Sequence, residues 1–228
     1  MCIMKQLFYY ALFLLTFLMV SCDLLKELDI PHTNGHKYVD LGLPSGTLWA
    51  TMNVGATSVE DSGDYFAWGE TSPKEEYSWS SYQWCKGYDN TITKYCTNAE
   101  SGTVDNKTTL ELTDDAARKN WGGDWRMPTA TEVSELLTYC TKEIVEKKGV
   151  KGYKLTGLNR NTIFFPFSGF IEGTELVNGD KSGYVWSSSL ETAESNKFAY
   201  ELDYDDGTIM IFYSSRIYGQ TVRPVLSK

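Results

Sequence analysis

The chain has 228 residues with 21 Lys+Arg against 30 Asp+Glu, a formal net charge of −9, and 14% of its residues are Phe, Trp or Tyr. That apolar and aromatic content excludes disorder and collagen-like repeats for the bulk of the chain. The acidic balance argues against a nucleic-acid partner and against a polybasic membrane patch, both of which need a basic face.

The chain opens on an address. Leu7 to Val20 is an almost unbroken apolar run preceded by a single basic residue, Lys5. Spanning a bilayer takes roughly 20 apolar residues, so the run is short for a permanent anchor and suits a secretory signal over residues 1–21. It ends in Met19-Val20-Ser21-Cys22, which resembles a bacterial lipobox, with Cys22 as the lipidated mature N-terminus. Acyl chains on Cys22 would anchor the protein stably in a membrane. Residues 22–36 then form a short tether, spanning roughly 20 Å as a flexible coil. The expected location is the bacterial cell envelope, lipid-anchored, at the outer membrane.

From residue 37 onward no linker divides the chain, so 37–228 is expected to be a single domain. Alternating Tyr38, Val39, Leu41 and Leu43 lead into Pro44-Ser45-Gly46 and then Thr47-Leu48-Trp49-Ala50, an opening hairpin. Residues 70–108 are polar, aromatic and turn-rich, which reads as long surface loops. Within them Cys85 and Cys96 are either a disulfide, contributing about 3 kcal/mol in the chain-entropy model, or two unpaired thiols. Tyr77, Trp79, Tyr82, Trp84 and Tyr88 crowd the same region and suit an interface or sugar stacking.

Two helices follow. Thr113-Asp114-Asp115 supplies a capping Thr and two acids for the first, which stops before Gly122-Gly123. Thr129 and Glu132 make a capping box for the second, with Val133, Leu136, Leu137 and Cys140 on one apolar stripe. Cys140 is expected as a buried free thiol.

The last third is strand-like. Ile163-Phe164-Phe165 ends at Pro166, and Tyr184-Val185-Trp186 runs into three serines. Phe198, Tyr200, Leu202 and Tyr204 alternate, Asp205-Asp206-Gly207 turns the chain, and Ile209, Ile211 and Tyr213 alternate back. A final strand is expected through Thr221–Val225. Helices set between groups of strands give an α+β class with an antiparallel sheet.

Six segments in order, Leu48–Asn53, Tyr65–Glu70, Trp125–Thr129, Phe165–Gly169, Tyr184–Ser189 and Thr221–Val225, resemble the "Fibrobacter major paralogous" domains of bacterial exported lipoproteins. That group is similar in pattern to the formylglycine-generating and C-type-lectin-like fold. The resemblance implies an antiparallel sheet with two flanking helices, paired terminal strands and long loops able to bind ligands. It implies no single activity. The Glu-Pro-Asn, Gln-Pro-Asp and Trp-Asn-Asp signatures of calcium-dependent sugar-binding lectins are absent from the sequence, and no Cys follows Cys140 as formylglycine-generating enzymes require. No cofactor or metal is expected.

Ser188, Ser189, Glu191, Asn196, Tyr204, Ser214, Arg216 and Tyr218 read as an exposed Ser/Tyr-rich ligand face, since Tyr gives contact area cheaply in entropy and Ser and Asn adapt their hydrogen bonds. The alternative is a solvated sheet edge without a ligand. The leading expectation is a non-catalytic binding or display module for a glycan or protein ligand. A structural or adhesion component comes next, and a glycan hydrolase using two carboxylates third. With only His32 and His36 available, no Ser-His-Asp or Cys-His arrangement supports catalysis.

Overall fold

The computed structural model describes residues 30–228. The signal segment, Cys22 and most of the tether therefore lie outside the described residues. Among those residues no helix is long and apolar enough to cross a membrane.

The N-terminal strands β1 (His32–Thr33), β2 (His36–Asp40) and β3 (Leu48–Ala50) join the C-terminal strand β12 (Val225–Leu226) in one antiparallel sheet of order β1-β2-β3-β12. The two ends of the chain are thus paired, Val225 against Trp49 and Leu226 against Leu48. Strand alternation sends neighbouring residues to opposite faces. Ala50 and Leu226 accordingly enter one core, while Trp49 and Val225 enter a second.

Each core takes one helix. Helix α1 (Ala116–Trp121) places Ala116, Ala117 and Trp121 in the first core. Helix α2 (Ala130–Tyr139) places Val133 and Leu136 in the second. The α2 capping box forms as expected, with the Thr129 hydroxyl accepting from Glu132 N and the Glu132 carboxylate accepting from Thr129 N. Helix α1 starts later than expected. Thr113 falls in a 3₁₀ turn over Leu112–Asp114, and the cap is Asp115, whose carboxylate accepts from Arg118 N at 2.9 Å. Its other oxygen accepts from Met127 N at 2.8 Å, so the cap also ties α1 to the start of α2. A carboxylate that bridges two segments outcompetes a hydroxyl that could serve only one.

The remaining strands are β4 (Thr141–Lys147), β5 (Val150–Thr156), β6 (Thr162–Pro166), β7 (Phe170–Glu172), β8 (Glu175–Val177), β9 (Ser182–Leu190), β10 (Phe198–Asp205) and β11 (Ile209–Ser215). They form sheets of order β4-β5-β6, β7-β8 and β11-β10-β9, all antiparallel. The Asp-Asp-Gly hairpin between β10 and β11 pairs Tyr204 with Ile209, and Asp205 accepts from Thr208 N at 2.9 Å to close the turn. The β4–β5 hairpin lacked a sequence signal. Its turn residues, Lys148 and Gly149, sit at φ 48° and 82°, the double left-handed turn usually marked by Asn-Gly. The expected strand over 221–225 shrinks to β12 because Thr221 and Val222 are spent on bridges to β9 and to the 54–66 loop.

The long stretch 70–108 carries no named strand or helix, as its turn-rich composition implied. It is nevertheless packed. Tyr77 and Tyr82 are buried with Ala67 and Ile217 in a third apolar cluster, against which Trp79, Trp84, Ile171 and Tyr218 lie half-buried. Of the five aromatics in the 75–90 region only Tyr88 is exposed, which corrects the reading of this segment as an aromatic binding surface.

Candidate functional site

The expected ligand face divides in two. One group of its residues is structural. Ser188 is buried and donates its hydroxyl to Pro128 O at 3.2 Å, and the half-buried Ser189 hydroxyl accepts from Ala130 N at the start of α2. Glu191 is buried, its carboxylate turned back onto Ala193 N and Glu194 N. Asn196 reaches across to the 96–98 turn, its Oδ1 accepting from Thr97 N at 2.7 Å and Asn98 N at 2.8 Å. Tyr204 is buried and donates to Pro166 O at 2.8 Å. Arg216 is fully buried: Nε donates to the Tyr82 hydroxyl, and its other nitrogens donate to the carbonyls of Tyr95, Asn196 and Lys94. Its guanidinium also lies 4.8 Å from the Trp68 ring centroid. Exposure was the premise of the sequence reading, and for Ser188, Glu191, Asn196, Tyr204 and Arg216 that premise is wrong. Asn196 and Arg216 fasten the strand-free 70–108 stretch to the C-terminal sheet, Ser188 holds the segment leading into α2, Tyr204 ties β10 to β6, and Glu191 closes its own turn.

The same clamp replaces the disulfide. Cys85 and Cys96 are free thiols. The Cys85 thiol donates to Trp79 O at 2.9 Å, and that of Cys96 to Asn98 O at 3.1 Å. The segment between them is held by Arg216, Asn196 and the Asp105 carboxylate, which accepts from Tyr95 N and Cys96 N. Burial works to raise the Asp105 pKa, but those backbone donors prevail and hold it below the usual range. Cys140 is buried as expected, and burial pushes its thiol up to about 11.

The other group, Ser214 and Tyr218, belongs to a partly open face. On β10, Leu202 and Tyr204 turn into the second core, so Glu201 and Asp203 alternate to the opposite side. Glu201 is paired across the ladder with Phe212, and Asp203 with Met210 on β11 and Tyr184 on β9. Phe212 and Met210 are 44% and 42% exposed, which places large apolar side chains in solvent directly beside two acids. The margin is built by the β7–β8 hairpin and the 218–220 segment. Phe170 packs against both Tyr184 and Tyr218 with ring centroids 5.0 Å apart, and the Tyr218 hydroxyl donates to Glu172 at 3.2 Å.

The two acids differ in environment. Glu201 is buried, accepting from the Ser214 hydroxyl at 2.7 Å and from the Gln220 amide. Burial outweighs these bonds, and with Asp203 nearby its pKa rises to about 8. Asp203 is half-buried, and burial together with Asp205 lifts it to about 6. Neither carboxylate has a lysine or arginine partner among the described residues. Gln220 is itself fully buried and its Oε1 has no hydrogen-bond partner. Tyr218 is raised by burial, and by Glu172 and Glu201 beside it. Glu201, Gln220, Met210 and Phe212 were not singled out in the sequence, and Asp203 drew notice only as one of the acids before Gly207 that read as a turn rather than a calcium loop. Glu201 and Asp203 are the polar half of the β10 alternation, on the side opposite Leu202, so the sequence pattern carries no signal that sets them apart.

The proton states superficially suit acid–base chemistry, since a strand places residues i and i+2 about 7 Å apart on one face. A glycosidase needs one protonated and one ionised carboxyl at such a separation. Glu201, however, is sealed, with its oxygens taken by Ser214 and Gln220. It can hold neighbours in place but cannot reach a scissile bond from there. Among the described residues no group of three or more His, Cys, Asp and Glu is arranged to hold a metal ion. The remaining aspartates near Gly207 serve the β10–β11 turn and an ion pair between Asp206 and Lys151 at 2.5 Å.

Among the described residues, mostly antiparallel sheets with two α-helices define a mixed α+β class. No protein-family model, curated protein or solved structure matches the chain.

Proposed function

We propose that this chain is a lipid-anchored protein of the bacterial cell envelope, held at the outer membrane, whose C-type-lectin-like body binds a glycan or protein ligand without catalysis. The lipobox-like segment ending in Cys22 supports the anchor, and the six ordered motifs with the paired chain ends support the lectin-like assignment. The observation that carries the binding function is the exposed Met210–Phe212 strip beside Asp203, flanked by Tyr184 and Tyr218. Aromatic faces stack on sugar rings or fill interface pockets, while carboxylates fix hydroxyl and amide donors. The sealed position of Glu201 favours binding over hydrolysis.

The test is retention of the mature chain on bacterial, host and dietary glycans, with and without EDTA, scoring release of products as well. Retention without cleavage, insensitive to EDTA and at least tenfold weaker in Phe212→Ala at unchanged Tm, supports the proposal. Product release sinks the non-catalytic part. Retention untouched by Phe212→Ala moves the site off this face, and absence of retention leaves the protein ligand as the surviving arm.

A further inference from the structure

A second concavity shares no residue with the C-terminal sheet face. It has a volume of about 440 Å³ and lies between the 57–60 loop, the tip of the β4–β5 hairpin and β6. Small-molecule sites span roughly 300–1,000 Å³, so this one is large enough for a ligand. Its chemistry runs against the rest of the chain, whose formal net charge is −9. Lys37 lines it from β2 and Lys147 and Lys148 line it from the hairpin tip, and Glu60 is the one carboxylate in its wall.

The two lysines are held differently. Lys147 makes no ion pair among the described residues, and its ammonium rests 5.1 Å from the Phe164 ring centroid. Stacking on the ring fixes the position of the charge without neutralising it. Lys148 sits at the left-handed turn position and reaches Glu60 only at 3.5 Å, a long and exposed contact that is worth little in water. Lys147 and Lys148 therefore bring two positive charges to the cavity against the single carboxylate of Glu60. Thr162 adds an exposed hydroxyl at the wall, and the half-buried Met52 and Val59 supply apolar surface.

We propose that this cavity binds a phosphate-bearing ligand of net negative charge with an apolar body, the phosphate lying between Lys147 and Lys148 and the apolar part against Met52 and Val59. The phosphate could be that of a soluble metabolite or of a lipid headgroup. Ile30 lines the rim and stands eight residues after Cys22, a reach of at most about 28 Å, so a membrane holding a lipidated Cys22 would be near.

The full chain in a neutral detergent would be titrated calorimetrically with inorganic phosphate, short-chain phosphatidylglycerol and phosphatidylcholine of the same chain length. The expected result is at least tenfold tighter binding of phosphatidylglycerol than of phosphatidylcholine, abolished in a Lys147→Glu/Lys148→Glu variant that keeps the parent Tm. Inorganic phosphate bound as tightly as phosphatidylglycerol supports a free phosphorylated ligand over a lipid. Equal binding of the two lipids without phosphate binding, or a charge-reversed variant that binds like the parent, overturns the proposal. Glycan retention is read on the same variant and should be unchanged, which keeps this site separable from the Phe212 face.

Discussion

Arg216 and Glu201 are both fully buried ionisable residues of the C-terminal hairpin region, and the structure treats them in opposite ways. Arg216 has its donors matched by three carbonyls and a phenol, and aromatic rings cover its faces. Glu201 has two neutral partners and no cation, and its amide neighbour Gln220 keeps an unfilled acceptor. A buried charge that is saturated by its own chain is architecture. A buried acid whose partners are all neutral, at the border of an open apolar strip, holds its neighbours but is costly to ionise. Burial alone separates neither case, whereas a count of partners separates both.

The largest expected effect tests the saturated side of that contrast. Arg216→Met should cost about 3–5 kcal/mol in urea denaturation, because the Tyr95, Asn196 and Lys94 carbonyls lose their donors while buried. A loss below about 1 kcal/mol would show that the strand-free stretch is held by something else.

The unsaturated side has its own signature in pH. The Glu201 pKa is raised on folding, so between about 4.5 and about 8 the native state holds a proton that the unfolded state has released. Stability should therefore fall as the pH rises through this window, by at most about 1.4 kcal/mol per pH unit. Glu201→Gln should flatten that slope when unfolding is followed from pH 5 to 8.5. An unchanged slope would mean that another group carries the titration.

A smaller clamp of the saturated kind joins Arg126 to Glu132, at 2.6 and 2.7 Å, within the α2 capping box. Burial opposes the ionised form of Glu132, but Arg126 and the Thr129 N–H prevail and hold its pKa at about 2. Glu132→Ala should cost about 1–2 kcal/mol at neutral pH. Because the folded pKa is depressed, the difference from the parent should shrink as the pH falls from about 4.5 towards 2, which denaturant midpoints measured across that range would show.

The smallest effect is a null result. With Cys85 and Cys96 both free, dithiothreitol should leave Tm unchanged, and alkylation of the unfolded chain should modify both. A bridge would have contributed about 3 kcal/mol, so a drop of several degrees on reduction would restore the covalent explanation for this loop.

Much of the fold was legible because its signals are local. The Asp-Asp-Gly turn gave the β10–β11 hairpin in register, and Thr129 with Glu132 gave the start of α2 to the residue. The Lys148-Gly149 turn was opaque, since only its two left-handed φ angles distinguish it from an ordinary charged loop. The candidate site was legible in part. Ser214 and Tyr218 do border the open face, but Glu201 and Phe212 looked like ordinary members of an alternating strand and Asp203 like one acid of a turn.

What the sequence determined by itself was the α+β class, the strands β6, β9, β10 and β11, two helices and the apolar stripe of α2. These follow from periodicities of two and 3.6 residues, which require no knowledge of distant chain. Exposure was decided only by the tertiary structure. Alternation along a strand assigns residues to two faces, but it cannot say that one face will be covered by a segment arriving from elsewhere. Asn196 is buried because the 96–98 turn, some hundred positions earlier, folds across it, and Arg216 because Tyr82 and Tyr95 do. Polar residues chosen for contact with a ligand and polar residues chosen to hold distant loops have the same composition, and only long-range packing tells them apart.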